Sequence, residues 1–157
     1  MKKIYSNNII IFCLGLASTF MLFFPCLIND ATNEAYTGIQ ILSGTVISDS
    51  DSMYFIIRFD PDVFSFVAFI FPAIAGLMSL LFNNKIVTTI SSIMFSLSTV
   101  LLFSFPICIN VIYILISSAS DYYATWSFAG ALLIAASLSL LATLLNFRKL
   151  ELLNKVQ

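Results

Sequence analysis

The densest group of oxygen ligands in this chain is Asp49 and Asp51, alternating with Ser48, Ser50 and Ser52. Such a run could offer oxygens to calcium, but a calcium loop normally brings more carboxylates and a turn glycine. It reads instead as a solvated polar turn, and no metal site is expected. Arg58 is close in sequence to Asp60 and Asp62, so its guanidinium is expected to pair with them or with an anionic headgroup, with ligand binding as the rival role. Cys26 and Cys108 could form a disulfide in an oxidising exterior. Cys13 lies mid-helix and reads as a small packing residue. Histidine is absent from the chain. No Gly-rich phosphate loop, Ser/His/Asp set or Cys/His pair can be assembled. We therefore expect no catalytic residues, no cofactor and no enzymatic activity.

The remaining polar side chains follow a helical spacing. Ser127, Ala131, Ala135, Ser139 and Thr143 recur every four residues, and Thr88, Ser92, Ser96 and Thr99 form a similar ridge. Ala68, Pro72 and Gly76 make a third. Small residues let helices approach closely in lipid, and hydroxyls bond across the contact. The first reading is packing within one bundle; the rivals are a polar pore lined by the third helix and contact with another membrane protein.

The elements that carry these ridges follow from composition. Of 157 residues, 60% are hydrophobic and 10% charged, against about 25% charged in a soluble domain. Lipid must hide such a surface. Net charge is −1, with no basic stripe, so no nucleic-acid partner is implied. Frequent Ile, Phe, Asn and Lys hint at an AT-rich bacterial genome. Residues 9–28 and 63–82 are uncharged, and each reaches about 30 Å as a helix, the thickness of the hydrocarbon core. A third run covers 86–116 and a fourth 123–147. Pro106 predicts a kink, splitting the third run into a span over 86–105 and an outer extension to 116 that needs cover from the first loop. The first run reads as an uncleaved helix rather than a signal peptide, because no small-x-small site follows it. The fold class is thus an all-α membrane protein: a single domain over 1–157, a bundle of four transmembrane helices with a small extracellular cap.

Charge sets the orientation. With the N-terminus inside, Lys2, Lys3, Lys85, Arg148, Lys149 and Lys155 are cytoplasmic, and only Arg58 among the basic residues is outside. Asp30, Glu34, Asp49, Asp51, Asp60, Asp62 and Asp121 fall outside and Glu151 inside. This satisfies the positive-inside rule. A multi-pass plasma-membrane protein with both termini cytoplasmic is expected. Tyr122, Tyr123 and Trp126 would anchor the outer start of the fourth helix, and Phe147, Arg148 and Lys149 its inner end.

The cap spans residues 29–62, a connection long enough to have structure of its own. GTVIS (44–48) and SMYFIIRF (52–59) alternate like strands around the polar DSDS turn, predicting a β-hairpin. Asp60-Pro61-Asp62 makes a helix start. In YTGIQILSG (36–44), Thr37 and Gln40 fit a reciprocal capping pattern and Gly44 a left-handed stop. The segment is then a short surface helix with Ile39 and Leu42 facing down; a first strand is the rival reading. Tyr36, Thr37, Gly38, Gln40, Gly44 and Arg58 are the candidate interaction residues.

The layout resembles the claudin-like four-helix membrane proteins. The shared features are cytoplasmic termini, a long first outer loop with strand character and a short turn at Asn83-Asn84-Lys85. An over-long third helix near a proline and a short second loop at Ser117–Asp121 complete the likeness. It covers the whole chain in topology. The claudin loop signature of Trp, Gly-Leu-Trp and two cysteines is absent, so tight-junction function is not carried over. Tyr36–Gly44 is similar to a Y-S/T-G-x5-G pattern of small membrane proteins in low-GC Gram-positive bacteria and their wall-less relatives, a pattern that implies no activity. The expected role is a non-catalytic accessory, scaffold or partner-binding subunit. It would bind another membrane protein, or itself, through the cap or the bundle face. The alternative is a small channel or lipid-handling protein.

Overall fold

The computed structural model describes residues 2–30, 33–44, 46–48, 56–58, 63–116 and 126–156. Four long helices, α1 (Lys2–Phe20), α3 (Val63–Leu81), α4 (Lys85–Ile116) and α5 (Gly130–Val156), form the body. Each packs against two neighbours, in the order α1, α3, α4, α5 and back to α1. Between them lie β1 (Pro25–Asn29), β2 (Ala35–Thr37), α2 (Gly38–Ser43), β3 (Val46–Ser48), β4 (Ile56–Arg58) and β5 (Trp126–Phe128).

Among the described residues, three stretches are long and apolar enough to cross a membrane: Val63–Leu81, Lys85–Cys108 and Gly130–Asn154. Asn7–Phe23 is a shorter apolar helix. The body is inverted relative to a soluble protein. Ile9, Leu16, Phe66, Ile93, Val100, Leu133 and Leu144 face outward, while Ser18, Ser79, Thr88, Ser91, Ser139 and Asn146 are buried. Lipid, not water, suits that exterior.

The helix that begins the chain stops earlier than the apolar run predicts. Instead of continuing to 28, α1 ends at Phe20 and a turn of 3-10 helix follows over Met21–Phe23. Pro25 is the cause. A proline pushes the residue before it out of the helical region, and Phe24 is extended at φ −110°, ψ 163°. The rest of the run becomes β1, the central strand of an antiparallel sheet ordered β2-β1-β5. Leu27 pairs with Tyr36 and with Phe128, and a bulge lies between Pro25 and Leu27. The fourth helix is displaced likewise: residues 126–128 form β5, and α5 runs from Gly130 to Val156 rather than over 123–147.

The predicted hairpin is present as β3–β4, with Ile47 opposite Ile57. Its DSDS turn, the Asp60-Pro61-Asp62 start, Tyr122 and Tyr123 lie outside the described residues. α4 runs from Lys85 to Ile116 with Pro106 inside it, so the predicted span and its extension to 116 belong to one helix. The expected cover for residues 109–116 concerns side chains outside the described set.

The core has two parts. One reaches from the three-stranded sheet into the bundle through Leu22, Cys26, Leu27, Tyr36, Phe69, Leu102, Phe105, Trp126 and Leu132. The other, around Ile11, Ala75, Phe95 and Ala142, fills the opposite half.

Candidate functional site

Two constructions could support function: the folded segment beyond the bundle, and the polar ladder inside it.

The segment is held by side chains from both inter-helix loops. Tyr36 of β2 and Trp126 of β5 flank β1 and meet edge-on, ring centroids 5.5 Å apart. Both are buried. Trp126 is therefore a core residue of the sheet and not an interfacial anchor at a helix start. The Tyr36 hydroxyl donates to Glu34 Oε2 at 2.7 Å, and Ser127 Oγ donates to Asp30 Oδ1 at 2.7 Å. Ser127, expected on the fourth helix's small-residue ridge, belongs to the sheet.

The stretch 37–43 is a helix, α2, and its start is the reciprocal cap. The Gln40 N–H donates to Thr37 Oγ1 at 3.3 Å, and the Thr37 N–H donates to Gln40 Oε1 at 2.8 Å. Each satisfies a donor that the first helical turn leaves free. Gly38 is needed for close approach: a Cβ there would lie 2.9 Å from Leu22 Cα. α2 is thereby seated on the 3-10 turn. Ile41 is buried beneath it, while Ile39 is exposed and Leu42 packs partly against the core. Ile39 and Leu42 thus do not share one downward face. Gly44 ends the helix at φ 79°, ψ 131°. Its positive φ matches the sequence expectation, but its ψ is extended rather than left-handed helical. Arg58 sits in β4 opposite Val46; its side chain is outside the described residues.

Cys26 and Cys108 are free thiols, and no disulfide joins them. Cys26 is buried, its Sγ 3.3 Å from Phe24 O, whereas Cys108 is exposed. Burial pushes the Cys26 thiol up to about 11, only partly offset by a backbone hydrogen bond from Gly38. Cys13 faces outward rather than packing.

Inside the bundle the ridges are helix contacts. Ala131, Ala135, Ser139 and Thr143 are buried, as are Thr88, Ser92 and Thr99. Thr99 Oγ1 lies 3.0 Å from Ser139 Oγ, joining α4 to α5. Ser18 donates to Ala135 O at 2.9 Å, Thr19 to Phe69 O at 2.8 Å and Ser91 to Ala75 O at 2.8 Å; Ser98 bonds Ala68 O. Ser92, Ser96 and Thr143 bond carbonyls four residues back on their own helices, and Thr88 bonds Asn84 O just before α4. Glycines permit the close α1–α3 crossing. A Cβ on Gly15 would fall 2.3 Å from Pro72 O, and one on Gly76 3.2 Å from Phe12 Cα.

At the Lys85 end the ladder becomes a hub that sequence reasoning missed. Lys149 is 1% exposed. Its ammonium donates to Ser79 O at 2.9 Å, Phe82 O at 3.1 Å and Ser79 Oγ at 3.3 Å. These carbonyls close α3, so a cation from α5 meets the negative end of another helix. Asn146 continues the chain, accepting from Ser79 Oγ at 3.1 Å and donating to Ser91 Oγ at 2.7 Å. Asn8 of α1 donates to Asn83 Oδ1 at 2.8 Å, leaving its own buried Oδ1 without a partner. Asn84 caps α4 through the Ile86 N–H at 3.1 Å. The Asn83-Asn84 turn is thus tied to the long helices. Asn146 and Lys149 sit three apart, a spacing that puts them on one face; this was the available signal, hidden because the apolar run ends at 147.

Among the described residues no group of three His, Cys, Asp or Glu could hold a metal. Searches for relatives return nothing: no family model, no curated protein and no solved structure matches the chain.

Proposed function

We propose that this chain crosses the plasma membrane four times, with both termini cytoplasmic. In this reading it acts without catalysis, as a partner-binding or scaffold subunit, through the folded segment outside. The observation that carries the reading is the pairing of β1 with both β2 and β5. It joins the segments after the first and third long helices into one surface seated on the bundle. A fixed exterior of that kind suits recognition of another membrane protein. The bonded interior supports the same reading: hydroxyls that could line a pore are spent on helix contacts. The outward apolar residues Ile9, Ile10, Leu16 and Phe20 of α1, with Phe23 in the turn after it, support a fourth crossing. The even number of crossings agrees with the clustering of Lys and Arg on one side. The claudin-like layout is consistent with this, without its junctional role.

Site-specific photo-crosslinking in native membranes tests it. A probe at exposed Ala35 should yield a discrete protein adduct that disappears when Trp126→Ala loosens the sheet. A probe at outward-facing Leu97 should yield mainly lipid adducts. Protein adducts from Leu97 and none from Ala35 would move recognition to the bundle face. Ion flux in proteoliposomes, with no adduct from either position, would replace the reading by the channel alternative.

A further inference from the structure

From Ile9 the chain runs without a charge through the rest of α1 and into the 3-10 turn at Met21–Phe23.

The exposed residues beyond α1 do not change character where the helix ends. Phe20, Phe23 and Phe24 each expose at least 46% of their surface. Their rings cluster, with Phe20 5.2 Å from Phe23 and 6.0 Å from Phe24. They continue the outward band of Ile9, Ile10 and Leu16. No charge interrupts this band before Asp30. α2 sits on the same 3-10 turn through Gly38 and leaves Ile39 exposed. The carboxylates Asp30 and Glu34 instead bond Ser127 and Tyr36 of the sheet. Among the described residues, the outer segment thus sets an apolar rim at α1 against carboxylates bonded to the sheet.

We infer that this rim is a lip immersed in the outer leaflet. Phe20, Phe23, Phe24 and Ile39 lie against phospholipid acyl chains at the base of the headgroup layer. The lip fixes the height of the sheet above the membrane and tilts its polar edge outward. The inference rests on the four-crossing reading above.

Thiol accessibility separates the two. The background is Cys13→Ala with Cys108→Ala; Cys26 stays, buried and unreactive, as the internal reporter of folding. Phe23→Cys, Ile39→Cys and Ala35→Cys are placed in it one at a time and treated with a membrane-impermeant maleimide, on intact and on permeabilised cells. Ala35→Cys should react readily. Phe23→Cys and Ile39→Cys should react about tenfold more slowly or worse, since a thiol among apolar groups forms little thiolate. In phosphatidylcholine vesicles, spin labels at 23 and 39 should be relaxed by oxygen more than by a water-soluble nickel complex, and a label at 35 the reverse. Equal reactivity at all three positions would overturn the lip. Reaction of Ala35→Cys only after permeabilisation would overturn the sidedness, while its ratio to Ile39→Cys on that side would still decide the lip.

Discussion

The Lys149 ammonium is held by two carbonyls and a hydroxyl. An ionisable group at such depth is tolerated when it faces the bundle interior and meets backbone carbonyls. Lys149→Met keeps the bulk but removes the donors, leaving the Ser79 and Phe82 carbonyls unserved. It should lower stability by about 2–3 kcal/mol, the order expected when buried acceptors lose a charged donor. Unfolding in bicelles would measure this, and Arg148→Met, at an exposed neighbour, should have little effect. Cys26 gives a chemical readout. Its thiol rises from 9.0 to about 11 in the folded state. The folded protein then keeps a proton that the unfolded chain releases, so this contribution to stability is full below about pH 9 and is lost as pH rises through 11. Cys26 should resist alkylation at neutral pH and react at once in denaturant, as peptide mass spectrometry would show. The Thr37–Gln40 cap was legible because both partners lie within one turn of chain. The Lys149 hub was not, because Ser79 and Phe82 are brought to it only by tertiary packing.

Elements obey their local residues more than the hydropathy around them. Residues 9–28 form one apolar run, yet helix gives way to strand at Pro25, whose restriction on Phe24 acts through two atoms of backbone. Residues 126–128, Trp-Ser-Phe, fall near the start of the predicted fourth helix, and become β5 because β1 offers them a partner. Periodicity cannot separate a short buried strand from a helix end, whereas the hairpin β3–β4 was legible from alternation bounded by polar residues. Helix contacts carry their own predictions. Gly15→Leu should force α1 away from α3, since even a Cβ would overlap Pro72 O; cross-links between cysteines introduced on the two helices should fail to form. Gly130→Leu, where a Cβ would meet nothing within 4 Å, should leave them intact. Thr37→Ala should cost about 1 kcal/mol through loss of the cap, seen as faster hydrogen exchange over Gly38–Ser43 with the long helices unchanged.

At the scale of the whole molecule, the ring of helices and the three-stranded sheet depend on each other. β5 enters the sheet immediately before α5, and β1 follows α1, so the sheet closes only when the first and last long helices are side by side. Trp126→Ala should therefore destabilise the outer segment by about 3–5 kcal/mol, the usual cost of truncating a buried tryptophan. Glutamyl-protease nicking at Glu34 would report it. The membrane class of the chain was legible from composition. The sheet was not legible, since it joins segments separated by two helices. The central claim is that α1 crosses the bilayer. It is tested most directly by placing an epitope at the N-terminus and a cysteine at Ala35 of the same molecule and probing both on intact cells. Four crossings predict that an impermeant maleimide reaches position 35 while the antibody reaches its epitope only after permeabilisation. Access to both from the same side would show that α1 does not cross.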